Sequence, residues 1–332
     1  MKYIRPADHY AQRRVVHPAH RQIHVEPIAP LYVVIAMFNP LRFQSRYRLY
    51  HAFEKHCQDA AAIPYTVELA LRDRHHEVTK FDNPCHIQLR GQSELWYKEN
   101  LGNIGLSCLP EDAEYVAFVD ADFHFTRADW ATETVHMLQH YDAVQMFSSM
   151  TYETYDHRRH GVLDGFAYSH CNQGTIPKEY GHQGAVGGAW AFRRSALRKL
   201  GGLLDTCILG SGDWHMAFAL AMRDDWHPEM RLKQCPEYVN SIRRWAEQAK
   251  VLQGNIGYVE GHCIHHWHGP MQKRGYTTRP QILVNNHYDP LVDIIYDEQG
   301  VIQLAGNKPK LRDDIRAYFR SRSEDSIDVM TV

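Results

Sequence analysis

The sequence predicts an α/β fold with a Rossmann-like, mostly parallel central sheet flanked by helices. Three observations lead there. Leu31-Tyr32-Val33-Val34-Ile35-Ala36-Met37-Phe38 and Tyr115-Val116-Ala117-Phe118-Val119 are unbroken apolar runs of strand length, the pattern of strands buried on both faces. Between them the apolar period shifts to helical spacing at Tyr47, Tyr50, Phe53 and Cys57. It shifts back at Thr66-Val67-Glu68-Leu69-Ala70-Leu71, then turns helical again around Leu95, Trp96, Asn100 and Ile104. Such a β-α-β-α-β order folds into parallel neighbours joined by crossover helices. Finally, the 115–119 run stops on two acids, Asp120 and Asp122. Open α/β sheets bind ligands at the carboxyl ends of their strands.

The elements follow in order. The strand over 31–38 is closed by Asn39-Pro40, and a helix is expected over roughly 41–59. Pro64-Tyr65 leads into the second strand, which ends at Arg72-Asp73-Arg74. A helix over 93–107 is stopped by Pro110. Asp129-Trp130-Ala131 opens another helix, with Asp129 as a first-turn acid, and 143–147 reads as a strand. Residues 151–184 are long, polar and glycine-punctuated, which suggests a functional loop or lid. Ala189-Trp190-Ala191-Phe192 is a short strand feeding a helix from Arg193. Gly210-Ser211-Gly212-Asp213 opens a helix over 213–223. Residues 258–268 read as the last strand, broken by Gly269-Pro270, and 271–332 as peripheral with a loosely ordered tail. The expected organisation is a polar, basic lead-in over 1–28, one domain over 29–285 and a C-terminal extension over 286–332. The domain divides into halves at 29–125 and 126–285.

Composition narrows the function classes. With 44% hydrophobic and 23% charged residues the chain has the make-up of a soluble globular protein. A net charge of −2 gives no broad basic field for nucleic acid or a membrane surface. The seven cysteines lack C-x-x-C spacing, which points to free thiols in a reducing compartment. The first residues are polar and rich in Arg and His, and no run approaches a membrane span. A cytoplasmic protein with no membrane span is expected.

Four segments carry chemistry. Asp120 and Asp122 are spaced i, i+2, so in extended backbone both carboxylates face one side and can share a cation. The plainer alternative is a solvated Asx turn. Asp213 follows a glycine-flexible turn at a helix start; it reads as an N-cap or as a proton acceptor. Gly261-His262-Cys263-Ile264-His265-His266-Trp267-His268-Gly269 places imidazoles at a strand end, where one can complete a carboxylate metal site. Gly184-Ala185-Val186-Gly187-Gly188-Ala189-Trp190 is either a glycine-rich turn or a surface on which a sugar lies against backbone, with Trp190 stacking on a pyranose.

Taken together, Leu95-Trp96-Tyr97-Lys98-Glu99-Asn100-Leu101-Gly102-Asn103-Ile104-Gly105, Asp120-Ala121-Asp122, Gln145-Met146-Phe147, Gly187-Gly188-Ala189-Trp190, Gly210-Ser211-Gly212-Asp213 and His265-His266-Trp267-His268-Gly269 are similar, in order over about 31–285, to GT-A fold glycosyltransferases. The chain looks most like the family-2-type and galactosyltransferase-like enzymes of bacteria and phages. The resemblance implies Asp120 at the nucleotide ribose and, with Asp122, at a metal completed by His268 or His265. It implies Phe38, Asn39, Asp73, Lys98 and Asn103 at the nucleotide, with Lys273, Arg274, Tyr276 and Arg279 clamping its diphosphate. Gly187, Gly188, Ala189, Trp190 and Trp214 would meet sugar or acceptor. Asp213 falls where inverting relatives place the general base, but Gly212 stands where their preceding acid would be, which leaves the base assignment open.

The function so implied is metal-dependent, inverting transfer of a sugar from a nucleotide-diphosphate donor, a UDP-sugar, to an acceptor hydroxyl. Mn²⁺ or Mg²⁺ suits the carboxylate and phosphate ligands, and an imidazole in the shell tilts the choice to Mn²⁺. The acceptor is a glycan or lipid-linked saccharide or, in a phage enzyme, a hydroxymethyl-pyrimidine in DNA. Arg13-Arg14 and Arg42, Arg46 and Arg48 are groups too small to decide for DNA, and Arg158 and Arg159 read as a solvated charge pair. A nucleotidyltransferase acting on sugar phosphates is the main alternative, but Phe38-Asn39-Pro40-Leu41 is not the glycine-rich phosphate loop expected after its first strand. A metal-dependent hydrolase would need histidine spacings such as H-E-x-x-H, which the chain lacks.

Overall fold

The computed structural model describes residues 29–173, 184–223 and 226–326. The lead-in 1–28 with Arg13-Arg14, and residues 174–183 of the expected lid, lie outside the described residues. The chain runs β1 (Leu31–Phe38), α1 (Gln44–Asp59), β2 (Ile63–Leu71), β3 (His86–Gly91), α2 (Lys98–Cys108), β4 (Tyr115–Val119), β5 (Phe123–Phe125), α3 (Trp130–Leu138) and β6 (Ala143–Gln145). It continues with β7 (Ser149–Glu153), β8 (Arg159–Asp164), α4 (Phe166–Gln173), β9 (Ala189–Arg193), α5 (Arg194–Leu200), α6 (Gly212–Leu220), α7 (Pro236–Ala249), β10 (Ile256–Tyr258) and β11 (His262–His265). The last elements are α8 (Pro280–Asn285), β12 (Ile294–Tyr296), β13 (Ile302–Leu304) and α9 (Pro309–Ser321).

The central sheet has the order β10-β6-β9-β4-β1-β2-β3 and is parallel except where β9 runs against both β4 and β6. The period-2 alternation of β1 splits its side chains between two cores. Leu31, Val33, Ile35 and Met37 pack with Tyr50, Phe53, Trp130 and Leu138 from α1 and α3. Tyr32 and Val34 pack with Leu101, Leu197, Phe218 and Trp245 from the helices on the other face. Each such aliphatic side chain contributes about 1.5–3 kcal/mol on burial. The helix α2 lies so close to the sheet that a Cβ on Gly105 would stand 2.5 Å from Val34. The expected α/β architecture is the one observed.

A second sheet, β5-β11-β7-β8, stands at the carboxyl end of the first. Its antiparallel pairing of His265 with Phe123 carries the histidine strand alongside the residues that follow β4. This pairing builds the site.

Several expectations change. Residues 151–164 are not a lid but the antiparallel pair β7–β8, and α4 follows. The last strand is two: β10 joins the large sheet and β11 the small one, with His268 just beyond. The strand β3, polar at His86, Gln88 and Arg90, forms the edge of the main sheet. Nor is the C-terminal stretch peripheral. Leu311, Ile315, Tyr318 and Phe319 bury one face of α9, and the Asp325 carboxylate accepts the backbone N–H groups of Gln44 and Ser45 at 2.7 and 2.8 Å. The chain's end thus caps α1, whose own N-cap residue, Phe43, supplies no side-chain bond.

All seven cysteines are free thiols. No helix among the described residues is long and apolar enough to cross a membrane.

Candidate metal and transfer site

Where β4 ends, the chain turns outward through Asp120-Ala121-Asp122 before β5 begins. Asp120 N–H donates to the Gly188 carbonyl at 2.8 Å, and His266 N–H donates to the Asp122 carbonyl at 2.8 Å. The first bond ties the turn to the start of β9, the second to the end of β11. Asp122, His265 and His268 converge as a result. Asp122 Oδ2 lies 3.0 Å from His268 Nε2, and Oδ1 lies 3.8 Å from His265 Nε2. One ligand atom from each residue fits within a mutual separation of 4.8 Å.

The trio suits a divalent cation chemically. Asp122 Oδ1 is buried with no hydrogen-bond partner, an orphaned acceptor that ordinarily costs stability unless something neutralises it. Burial alone would raise the Asp122 pKa, but the two imidazoles and Arg46 outweigh it and hold the carboxyl well below the usual range. Burial drives His265 down to about 3, despite the pull of Asp122 the other way, so its ring is neutral at neutral pH. An ionised carboxylate with neutral imidazole is a donor set that favours Mn²⁺ over Mg²⁺. Both histidines join Asp122, while Asp120 stands apart, its carboxylate accepting from Lys98 Nζ at 2.8 Å. Burial raises the Asp120 pKa, against the opposing pull of Lys98.

The cavity over this trio, about 100 Å³, is lined by Phe38, Lys98, Asp120, Arg274 and Arg279. Phe38 packs edge-on to Trp96 at 5.4 Å. Arg279 lies between the faces of Trp96 and Tyr276, at 5.5 and 5.1 Å, and donates to Ser211 Oγ at 3.2 Å. Arg274 Nη1 stands 3.3 Å from His265 Nε2. Two charged lining residues escaped the sequence reading as site residues: Arg46 from α1 and Arg322 just after α9. The spacing Leu311, Ile315, Tyr318, Arg322 along one helical face was the available signal for the second.

A wider cavity of about 300 Å³ adjoins the first and is lined by Gly187, Gly188, Tyr152, Trp214 and Asp213. Asp213 lines both. It sits in the first turn of α6, entered through Ser211 at φ 75°, and its Oδ1 accepts the Trp214 N–H at 2.8 Å. Its Oδ2 occupies the space a Cβ on Gly187 would need, only 2.0 Å away. A side chain at position 187 would therefore displace the Asp213 carboxylate from its present position.

Other expected residues fall elsewhere. Trp190 does not face the open cleft. It sits mid-sheet between β4 and β6, donates its indole N–H to the Val186 carbonyl at 2.8 Å, and lines an inner cavity of about 40 Å³ together with Ala189 and Glu99, which shares Lys98, Asp120 and Asp213 with the cleft. Gly188 serves packing: with φ +94°, a Cβ there would lie 1.9 Å from the Phe123 ring. Asn103 Oδ1 accepts the Leu203 N–H at 2.7 Å and Nδ2 donates to the Leu203 carbonyl at 3.0 Å, so it fastens the chain after α5 rather than meeting a nucleotide. Asp73 is exposed on the turn after β2, which carries it outward past the strand end. Asn39 spends its amide closing a turn onto Phe43, at 2.9 and 3.0 Å, and lines a small neighbouring pocket with Arg42 and Arg74. Lys273 is half-buried in the turn before Arg274 and lines neither cavity.

No protein-family model matches the chain, and no curated protein does. Solved structures with an outline likeness include the catalytic domain of Drosophila β1,4-galactosyltransferase 7 in complex with xylobiose, 11% identical over 57% of this chain with a TM-score of 0.31. The likeness spans 59% of that galactosyltransferase chain. Staphylococcus aureus TarS is 11% identical over 88% of this chain and 71% of its own, with a TM-score of 0.39. A putative glucose-1-phosphate thymidylyltransferase from Bacillus anthracis is 11% identical over 81% and 98%, with a TM-score of 0.36. Scores this low carry no functional weight, and the chemistry below comes from the chain's own residues.

Proposed function

We propose that this protein is a metal-dependent glycosyltransferase that moves a sugar from a nucleotide-diphosphate donor, a UDP-sugar, to a glycan hydroxyl with inversion. The observation that carries this reading is the Asp122, His265 and His268 trio at the carboxyl end of the sheet, under a cavity edged by Lys98, Arg274 and Arg279. That combination is built for a diphosphate beside a cation.

Asp122, His265 and His268 would hold Mn²⁺, which supplies charge stabilisation to the departing diphosphate. Lys98, Arg274 and Arg279 surround the same cavity and stabilise the negative charge that grows there as the anomeric carbon–oxygen bond breaks. Asp120, held by Lys98, is the carboxylate this reading assigns to the ribose. The acceptor enters from the wider cavity, where the half-buried Trp214 offers an aromatic face and the Gly187-Gly188 backbone allows close approach.

As the acceptor oxygen bonds to the anomeric carbon, its proton passes to Asp213 and the bonding pair leaves with the diphosphate. Asp213 and Asp120 both border the two cavities, and Asp120 is engaged by Lys98, so this reading gives the general-base role to Asp213.

The test is thermal unfolding with Mn²⁺ and a panel of nucleotide sugars. A UDP-sugar present at 100 times its dissociation constant should stabilise the fold by about 2.7 kcal/mol. For a chain of this size that raises the melting temperature by about 4 °C, and the gain should vanish in Asp122→Ala. No stabilisation by any nucleotide sugar would refute the reading.

A further inference from the structure

The residues that follow α9 do more than fill space. Arg322 and Glu324 are 4% and 2% exposed, and they lie directly behind His268, itself 4% exposed. The Glu324 carboxylate takes the Arg322 guanidinium on one side and Arg46 of α1 on the other, the latter through two bonds, one of 2.9 Å. One residue on, Asp325 caps α1. Gly269 completes the fit: a Cβ there would meet the Glu324 Cα at 2.8 Å, so the loop after His268 closes onto this segment only because it turns through glycine at φ +90°.

His268 points Nε2 at Asp122, 3.0 Å away. Its other ring nitrogen, Nδ1, is buried without a hydrogen-bond partner, and the group facing it is Glu324 Oε2 at 3.6 Å. An imidazole that gives the Nε2 lone pair to a cation must carry its proton on Nδ1. That proton needs an acceptor, and such acceptors fix both tautomer and ring orientation at metal sites. A shift of about 0.5 Å brings the pair within hydrogen-bond range. Glu324 is ready to receive it because two guanidiniums and the backbone clasp hold the carboxylate in place.

We propose that Glu324 is a positioning residue for the metal centre, holding His268 as the Nδ1–H tautomer with Nε2 turned toward Asp122, so that the chain after α9 contributes this one carboxylate to the site. This deepens the metal reading above and rests on it.

The experiment is a Mn²⁺ titration of the full chain, followed by electron paramagnetic resonance, comparing wild type, Glu324→Gln and Asp325→Asn. Glu324→Gln should weaken Mn²⁺ binding by about 10- to 100-fold, the range seen when such an outer carboxylate is altered. Asp325→Asn loosens the same segment without touching His268; it should lower the melting temperature of the metal-free protein and leave Mn²⁺ affinity unchanged. Wild-type affinity in Glu324→Gln, or an equal loss in Asp325→Asn, overturns the proposal. Long-range ¹H–¹⁵N spectra of ¹⁵N-histidine-labelled wild-type protein without metal decide the matter even where Glu324→Gln does not fold. A protonated His268 Nδ1 supports the assignment, whatever Nε2 carries toward Asp122 in the absence of metal, and an unprotonated Nδ1 overturns it. If wild type binds no Mn²⁺ at all, the metal reading fails, and the tautomer still reports on Glu324.

Discussion

Asp213→Asn separates the chemistry of transfer from the architecture that holds the substrates. The substitution is nearly isosteric. The amide oxygen can still accept the Trp214 N–H that Oδ1 now takes at 2.8 Å, so the start of α6 should survive. The amide nitrogen replaces Oδ2 in the gap that Gly187 leaves open. Asp213 is not one of the Asp122, His265 and His268 ligands, so Mn²⁺ affinity should stay at the wild-type value. What disappears is the carboxylate bordering both cavities that Lys98 does not hold. A positioned general base contributes roughly 10²- to 10⁴-fold, or about 3–5 kcal/mol of barrier at 1.36 kcal/mol per factor of ten. The assay is steady-state release of nucleoside diphosphate at saturating donor, acceptor and Mn²⁺, with calorimetric titration of the nucleotide alongside. The expected result is a drop in kcat of that size with nucleotide affinity within a factor of about two. Near-normal kcat with nucleotide and metal sites intact would remove Asp213 from the base role. An equal loss of nucleotide affinity would make it a binding residue instead.

Three further outcomes follow from the packing. Gly188→Ala should cost about 3 kcal/mol or more, because its Cβ would fall 1.9 Å from the Phe123 ring at a backbone φ of +94°; calorimetry should show a melting point lower by at least about 4 °C, and an unchanged one would refute the packing account. Trp190→Phe removes an indole donor to Val186 in the sheet interior. Stability should fall by about 1 kcal/mol or more while KM for donor and acceptor holds, and a selective rise in either KM would return Trp190 to the cleft. Glu99 is buried, and that burial, with Asp213 and Asp120 adding to it and Lys98 opposing, raises its pKa to about 8. An acid whose folded pKa is raised adds stability that is fully present below its unfolded pKa near 4.3 and is lost as pH rises through 8. Glu99→Gln should therefore gain on wild type in unfolding free energy between pH 5 and pH 8, by at most about 4 kcal/mol, and parallel stability curves across that window would contradict the assignment.

Much of this could be read from residues alone, for identifiable reasons. The apolar runs of β1 and β4 are legible because strands buried on both faces need no alternation. Asp120 and Asp122 are legible because ending such a run on two acids is costly without a purpose. What pairs with what over longer range is harder. The three- and four-residue strands β5 and β11 are too short to announce themselves, yet their register delivers His265 to Asp122. Trp190 misleads because a tryptophan beside glycines suits both a cleft and a sheet interior, and only the flanking strands β4 and β6 decide. The helix α7 was visible in principle, with Tyr238, Ile242, Trp245 and Ala249 on one buried face. Arg322 and Glu324 were the least legible. A charged tail reads as solvent-exposed until the partners that bury it, Arg46 and His268, are brought beside it from positions far away in the chain.

The central claim is a cation held by one carboxylate and two imidazoles. The most direct measurement is anomalous diffraction at the manganese edge from crystals of the protein grown with Mn²⁺. A single strong peak about 2.0–2.3 Å from Asp122 and from the Nε2 atoms of His265 and His268 is the result this account requires. A peak seated elsewhere, or an Asp122→Ala crystal that keeps the same peak, would contradict it.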